Sequence, residues 1–227
     1  MSEDLRLILF DVDGTLVDSQ ADIVASMTAA FEHATLPVPS RAAILSIVGL
    51  SLPQAMVVLA PDTTEQTRAE MVSAYKQQYM TLRAAAGSQN SSPLFPGIRS
   101  LLDDLNAVPH QILGVATGKS QRGLDALIDG HGLEQLFLTR QCADHHPSKP
   151  HPSMVLQAMA ETGVSPTQTV VVGDTSFDME MARAAGVFAI GVSWGYHPPA
   201  RLRDAHLIVD GVHALPAALD EVWRFAA

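Results

Sequence analysis

The run Leu5-Arg6-Leu7-Ile8-Leu9 leads directly into Phe10-Asp11-Val12-Asp13-Gly14-Thr15. A nearly unbroken apolar run of this length suits a strand buried on both faces, the kind found in parallel sheets covered by helices. The two carboxylates beyond it are two residues apart, so in extended backbone they point the same way. Negative charges held close together repel and lose hydration, so the pair calls for a cation. Gly14 permits a tight turn and a close backbone approach. Asp and Gly are also ordinary loop residues, so the stretch acquires meaning only from the rest of the chain.

After Thr15 the hydrophobic period changes. With Asp18 or Ser19 as N-cap, Ile23, Val24, Met27, Ala30 and Phe31 recur at helical spacing. Further helices are predicted near Arg41–Val48, at Gln54–Leu59 and over Glu65–Ala86, with breaks at Gly49–Pro53 and Pro61-Asp62. The stretch Gly87–Pro93 has the composition of a flexible connection. Beyond it, helices and strands alternate. Helices are expected at Ile98–Leu105, Ser120–Ile128, Pro152–Ala160, Phe177–Ala185 and Leu215–Phe225. Strands are expected at Ile112–Ala116, Leu136–Leu138 (weakly), Thr169–Val172, Phe188–Val192 and His206–Val209. Such alternation implies βαβ units. The predicted fold is an α/β, Rossmann-like parallel sheet with helices on both faces, formed by residues 1–16 and 93–227, with an all-helical insert at 17–92. Ligands of open α/β sheets bind beyond the carboxyl ends of the strands, where Asp11, Thr117 and Asp174 would converge.

Bulk properties narrow the function classes. A chain of 227 residues, 47% hydrophobic and 17% charged, can bury a sizeable core. A formal charge of −10 disfavours nucleic-acid or anionic-membrane partners, and no apolar run approaches a membrane span. Cys142 is the only cysteine, so no intrachain disulfide forms. The N-terminus lacks the pattern of a signal peptide, so the expected location is the cytoplasm. The expected assembly is a monomer or a homodimer.

Four further positions carry possible chemistry. Asp174 and Asp178, in Gly173-Asp174-Thr175-Ser176-Phe177-Asp178, add carboxylates to the pair at Asp11 and Asp13. Such an oxygen-rich edge suits Mg²⁺. Asp178 alone also reads as compensation of a helix dipole. Thr117 and the backbone N–H of Gly118 and its neighbours resemble a small anion site, although Thr117 taken alone reads as a helix cap. Pro150 biases Lys149 towards extended backbone, and its ammonium can neutralise a phosphoryl oxygen. Lys119 is read as an ordinary surface lysine. His145, His146 and His151 lack the accompanying motifs of a zinc site and are read as a polar loop.

Taken in order, Asp11-Val12-Asp13-Gly14-Thr15, Thr117, Lys149 and Gly173-Asp174-x-x-x-Asp178 resemble the four motifs of the haloacid dehalogenase (HAD) superfamily. The helical insert resembles the C1 cap of the group that includes phosphoglycolate phosphatase and β-phosphoglucomutase. The resemblance implies roles. Asp11 is the nucleophile, and Asp13 is the general acid/base that lends a backbone carbonyl to Mg²⁺. Thr117, Gly118 and Lys149 hold the phosphoryl group, Asp174 completes the metal site and Asp178 supports it. The implied activity is Mg²⁺-dependent hydrolysis of a small, phosphoglycolate-like phosphate monoester through an aspartyl-phosphate. The alternatives are a β-phosphoglucomutase-like phosphomutase and a non-catalytic phosphate-binding protein. The mutases carry Ser-Arg in a cap loop that here reads Val48-Gly49-Leu50-Ser51-Leu52-Pro53. Asp13 argues against the dehalogenases themselves, which lack it. Arg41, Arg68, Lys76 and Arg83 are the insert's candidate anion contacts.

Overall fold

The computed structural model describes residues 5–224. Six parallel strands form one sheet in the order β3-β2-β1-β4-β5-β6. They are β1 (Arg6–Phe10), β2 (Gln111–Thr117), β3 (Thr139–Cys142), β4 (Thr169–Gly173), β5 (Phe188–Val192) and β6 (Leu207–Val209). The first strand lies centrally, between β2 and β4. That placement explains its apolar run, because side chains alternate between two covered faces. Ile8 and Phe10 enter one apolar cluster and Leu7 and Leu9 the other.

The helices among the described residues fall into two groups. The insert carries α1 (Gln20–His33), α2 (Arg41–Leu45), α3 (Leu52–Leu59), α4 (Glu65–Ala86) and the short α5 (Ser88–Ser91). The sheet is covered by α6 (Ile98–Asn106), α7 (Gln121–His131), α8 (Ser153–Thr162), α9 (Ser176–Ala185) and α10 (Leu215–Arg224). Leu101, Leu124 and Leu219 place α6, α7 and α10 on one face. Met154 and Met179 place α8 and α9 on the other. A third cluster joins Ile23, Met27, Phe31, Ile44, Met56 and Met71 of α1 to α4, away from the sheet.

The chain enters and leaves this helical region along one two-stranded ribbon. Val17 bridges Leu94 antiparallel, Asp18 N–H donates to the Pro93 carbonyl (2.9 Å) and Phe95 N–H donates to the Leu16 carbonyl (3.0 Å). The insert also touches the sheet domain at its irregular loop. Ser51 N–H donates to Ser148 Oγ (2.8 Å), and the ring of His197 bridges Ser176 N–H and the Ser46 carbonyl.

Several expectations need correction. The strand expected at Leu136–Leu138 is displaced to Thr139–Cys142, while Leu138 stays mostly exposed. The polar composition hid β3, whose Thr139 and Gln141 side chains are satisfied by Glu161 and His146. The stretch 87–93 is not a loose connection. It forms α5, Ser91 and Ser92 are buried, and Ser91 bonds Asp22 while His131 bonds the Ser92 carbonyl. The helix expected through Val48 stops at Leu45. Phe225 lies outside the described residues.

Candidate active site at the carboxyl edge of the sheet

Asp11 and Asp13 leave the end of β1 on a turn stabilised by N–H groups of Leu16 and Val17 donating to the Val12 carbonyl. Gly14 adopts φ +87°, where a side chain is strained. A Cβ on it would also lie 2.2 Å from Asp174 Oδ2, so the glycine lets the turn close onto the β4 carboxylate.

Asp11, Asp174 and Asp178 are each essentially inaccessible to solvent. Each offers a carboxylate oxygen within 4.8 Å of the others'. Lys149, equally buried, donates to Asp11 Oδ1 (2.8 Å) and Asp178 Oδ1 (2.6 Å). Thr15 Oγ1 and Tyr196 N–H donate to Asp174, at 2.9 and 2.7 Å. Asp178 Oδ2 accepts from Thr175 N–H and Oγ1 while Thr175 caps α9, a reciprocal capping box. Asp178 is thus both the helix-terminus residue suggested by its position and a buried partner of Lys149.

The charges here do not balance. Three carboxylates face one ammonium. Burial, reinforced by the charge of Asp178 and only partly offset by Lys149, pushes the Asp11 carboxyl up to about 7. Burial and the neighbouring carboxylates push Asp174 up as well. Burial alone would lower the Lys149 ammonium, but Asp11 and Asp178 outweigh it and hold it above its ordinary value. Asp11 Oδ2 is buried without a hydrogen-bond partner among the described residues. A buried carboxylate oxygen left bare, in a cluster where three carboxylates face one ammonium and two of them resist ionising without a further cation, fits a divalent cation with oxygen ligands.

Asp13 turns away from that cluster. Its Oδ1 accepts from Lys119 Nζ (2.7 Å) and from the Ser19 hydroxyl. Ser19 therefore heads α1 without bonding its N–H groups through the side chain. Lys119 continues to the Tyr79 hydroxyl (3.2 Å) and sits over that ring, 5.1 Å from its centroid. Reading Lys119 as a surface lysine is thus wrong: its side chain is only 10% exposed and faces the second carboxylate. Burial opposes its charge, but Asp13 outweighs burial and holds the ammonium above its usual value. The sequence signal was slight: Lys119 lies two residues beyond Thr117, in the short loop after β2.

Thr117 is fully buried and is not the cap of α7, a role taken by Ser120, whose hydroxyl accepts from Gly123 N–H. Gly118 has no room for a side chain, since a Cβ would lie 2.6 Å from the Gly49 carbonyl oxygen of the insert. Asp11, Asp13, Thr117 and Gly118 line one cavity of about 380 Å³ between the sheet edge and the insert. Lys149, Asp174 and Asp178 stand behind Asp11 and are not in its lining. Sequence reasoning missed Ser19, Tyr75, Tyr79, Lys119 and Arg122 around this space. Of the insert's cations, Lys76 and Arg83 line the cavity. Arg41 bonds Gln20, and Arg68 bonds backbone carbonyls near Thr63. His146 bonds Ser153 and Gln141, as a polar loop would.

Residues 8–192 match the family described as haloacid dehalogenase-like hydrolase. The chain belongs to this family. A relative named "Probable phosphatase IndB" from Dickeya dadantii is 36% identical over 208 residues, spanning 90% of this chain and 89% of its own. A phosphoglycolate phosphatase from Haemophilus influenzae is 28% identical, spanning 87% of this chain and 89% of its own. A haloacid dehalogenase-like hydrolase from Streptococcus pneumoniae superposes with a TM-score of 0.80 at 26% identity, covering 94% of this chain and 98% of that one. This haloacid dehalogenase-like hydrolase therefore combines the family's α/β sheet with a helical insert over the sheet edge, and no helix among its described residues is long and apolar enough to cross a membrane.

Proposed function

We propose that this hydrolase is a Mg²⁺-dependent phosphatase that cleaves a small phosphate monoester through an aspartyl-phosphate, with residues 17–92 as its cap. The observation that carries the reading is Asp11. One of its oxygens is held by Lys149, and the other is buried and unpartnered beside Asp174 and Asp178. The bare oxygen is the one that would face the cation, and Asp11, which lines the cavity, is the nucleophile.

Asp11 attacks the phosphorus and the bond to the leaving oxygen breaks. Asp13, facing the same cavity, donates a proton to that oxygen. In the second step Asp13 takes a proton from water as the water attacks the phosphorus, which frees Asp11 and inorganic phosphate. Lys149 and the Thr117 hydroxyl counter the charge of the phosphoryl oxygens. Asp11, Asp174 and the backbone carbonyl of Asp13 would hold Mg²⁺, with Asp178 supporting them, and the ion would supply the positive charge that the cluster lacks. The insert covers the space and excludes bulk water.

Two features support a phosphatase over the alternatives. Leu52, not an arginine, follows Ser51 and lines the cavity in the insert loop where the mutases carry Ser-Arg. A non-catalytic relative would have no need of both Asp11 and Asp13. The test is hydrolysis of a panel of phosphate monoesters with Mg²⁺, with EDTA and by Asp11→Asn. Turnover should require the metal and fall by several orders of magnitude in the variant. Full turnover in EDTA, or by pure Asp11→Asn protein, would falsify the mechanism.

A further inference from the structure

The cavity that holds Asp11 has a mixed lining beyond the reacting residues. Ile23, Met27, Ile47 and Leu52 of the insert give it an apolar wall. Lys76 and Arg83 of α4 and Arg122 of α7 line the same space. Arg83 and Arg122 also border an outer groove with Thr81 and Ser88, so these two stand where the cavity meets that groove. None of the three cations makes an ion pair or a hydrogen bond among the described residues. The one other carboxylate in the lining, Asp144, accepts the Gln121 N–H.

That arrangement is unusual for this chain. The formal charge of the protein is −10, so its general field repels anions. An anionic ester needs a local reason to approach, and three unpaired cations from two parts of the fold supply one. Guanidinium groups are suited to bidentate recognition of carboxylate or phosphate. Tyr75 adds a neutral donor to the same lining. Its hydroxyl makes no hydrogen bond among the described residues, and burial, with the charges of Tyr79 and Asp13, keeps it a protonated donor. The apolar wall shares one cavity with these groups and Asp11. It offers nothing to a short, fully polar ester.

We propose that the substrate is an extended, two-ended anion: a phosphate monoester with an apolar middle and a carboxylate or second phosphate at its far end, held by Arg83 and Arg122 with Lys76 beside them. This rests on the phosphatase reading above and narrows its substrate class. A compact two-carbon ester such as phosphoglycolate leaves the wall bare and is a poor fit to the volume, which equals on the order of a dozen water molecules.

The test compares matched esters in the Mg²⁺-loaded full chain. Phenyl phosphate has the apolar middle alone. 4-Carboxyphenyl phosphate and 1,4-phenylene bisphosphate add the two candidate anionic ends. Phosphoglycolate has the anion without the spacer. At least one two-ended ester should exceed both phenyl phosphate and phosphoglycolate in kcat/KM by tenfold or more, and which one does so distinguishes the two end groups. In Arg83→Gln/Arg122→Gln the advantage should vanish through KM, with phenyl phosphate turnover unchanged. Calorimetric binding of the same esters to Asp11→Asn protein should give the same ranking without chemistry. Equal kcat/KM for phenyl phosphate and both two-ended esters, or equal losses on every ester in the double variant, overturns the proposal while leaving the phosphatase reading intact. If no ester is hydrolysed, the phosphatase reading itself fails. The ranking in binding then decides whether the two-ended anion site stands alone.

Discussion

Replacing Lys149 with methionine keeps the length of the side chain and removes its charge. The ammonium it deletes lies 2.8 Å from Asp11 and 2.6 Å from Asp178, with all three side chains at or below 2% exposure. The cluster then holds three buried carboxylates with no protein cation. Removing one partner of a buried pair costs about 3–5 kcal/mol, because the remaining charge is left uncompensated. For a chain of this size that lowers Tm by about 6–20 °C. The pH dependence has a definite sign. Asp11 is raised to about 7 even with Lys149 present, and Asp174 is raised too. A carboxyl whose folded pKa is raised costs stability above that pKa and regains it as the pH falls through it. Lys149 itself stabilises below its ordinary ammonium range and ceases to do so only as the pH rises through its raised value, far from neutrality. Its removal should therefore hurt most at neutral pH, and acid should relieve the loss by protonating the carboxyls. The assay is thermal unfolding by circular dichroism in EDTA at about pH 5 and about pH 7.5, where this linkage acts differently. The gap between wild type and Lys149→Met should be wide at the higher pH, narrower at the lower, and narrower again with excess Mg²⁺. A variant that melts with the wild type near neutrality in EDTA would refute the reasoning that Lys149 neutralises this cluster.

Lys119→Met removes the ion pair to Asp13 and the contact to Tyr79. Misplacing the acid/base should lower kcat/KM for every ester by about 10²-fold with a much smaller change in melting temperature, and unchanged turnover would show that Asp13 needs no such anchor. Gly195→Ala puts a Cβ 2.2 Å from Asp174 Cβ, so Asp174 must move. Overpacking of this kind costs about 1–3 kcal/mol. Calorimetry should show weakened divalent-metal binding to Gly195→Ala, and wild-type affinity would show that the turn yields instead of the carboxylate.

The parts that were legible in the sequence share one physical property: they do not depend on how distant surfaces dock. A central parallel strand must be apolar on both faces, so β1 and β4 read directly from Leu7–Phe10 and Thr169–Val172. Carboxylates at the strand ends follow from topology, and the structure brings Asp11, Asp174 and Asp178 together. The edge strand β3 was illegible because its Thr-Arg-Gln-Cys residues satisfy their polarity through Glu161 and His146, partners invisible in the chain order. Lys119 was misjudged for a similar reason. Whether a lysine faces solvent or Asp13 depends on where Tyr79 of the insert comes to rest. Asp13 was assigned alongside Asp11, yet its carboxylate lies with Ser19 and Lys119 and not with the carboxylate cluster. Arg83 stood among four candidate cations of the insert with nothing to single it out, and Arg122 gave no signal, since the two belong to different helices that meet only when the insert covers the sheet edge.

The paired segment at Val17 and Leu94 has a consequence for how such a chain can be altered. The ends of the long helical excursion are hydrogen-bonded neighbours, so the sheet domain sees it as it would see a hairpin loop. Loop closure penalises extra length only slowly once the ends are fixed side by side. A different module can therefore be grafted between these two residues, larger or smaller, provided its own termini lie as close together. The graft must also present bare backbone to Gly118, where Gly49 and Leu50 now leave no space for a side chain. Modules that satisfy those two conditions would exchange the walls of the cavity and leave Asp11, Asp174 and Asp178 with their partners from the sheet domain, while Asp13 would lose Ser19.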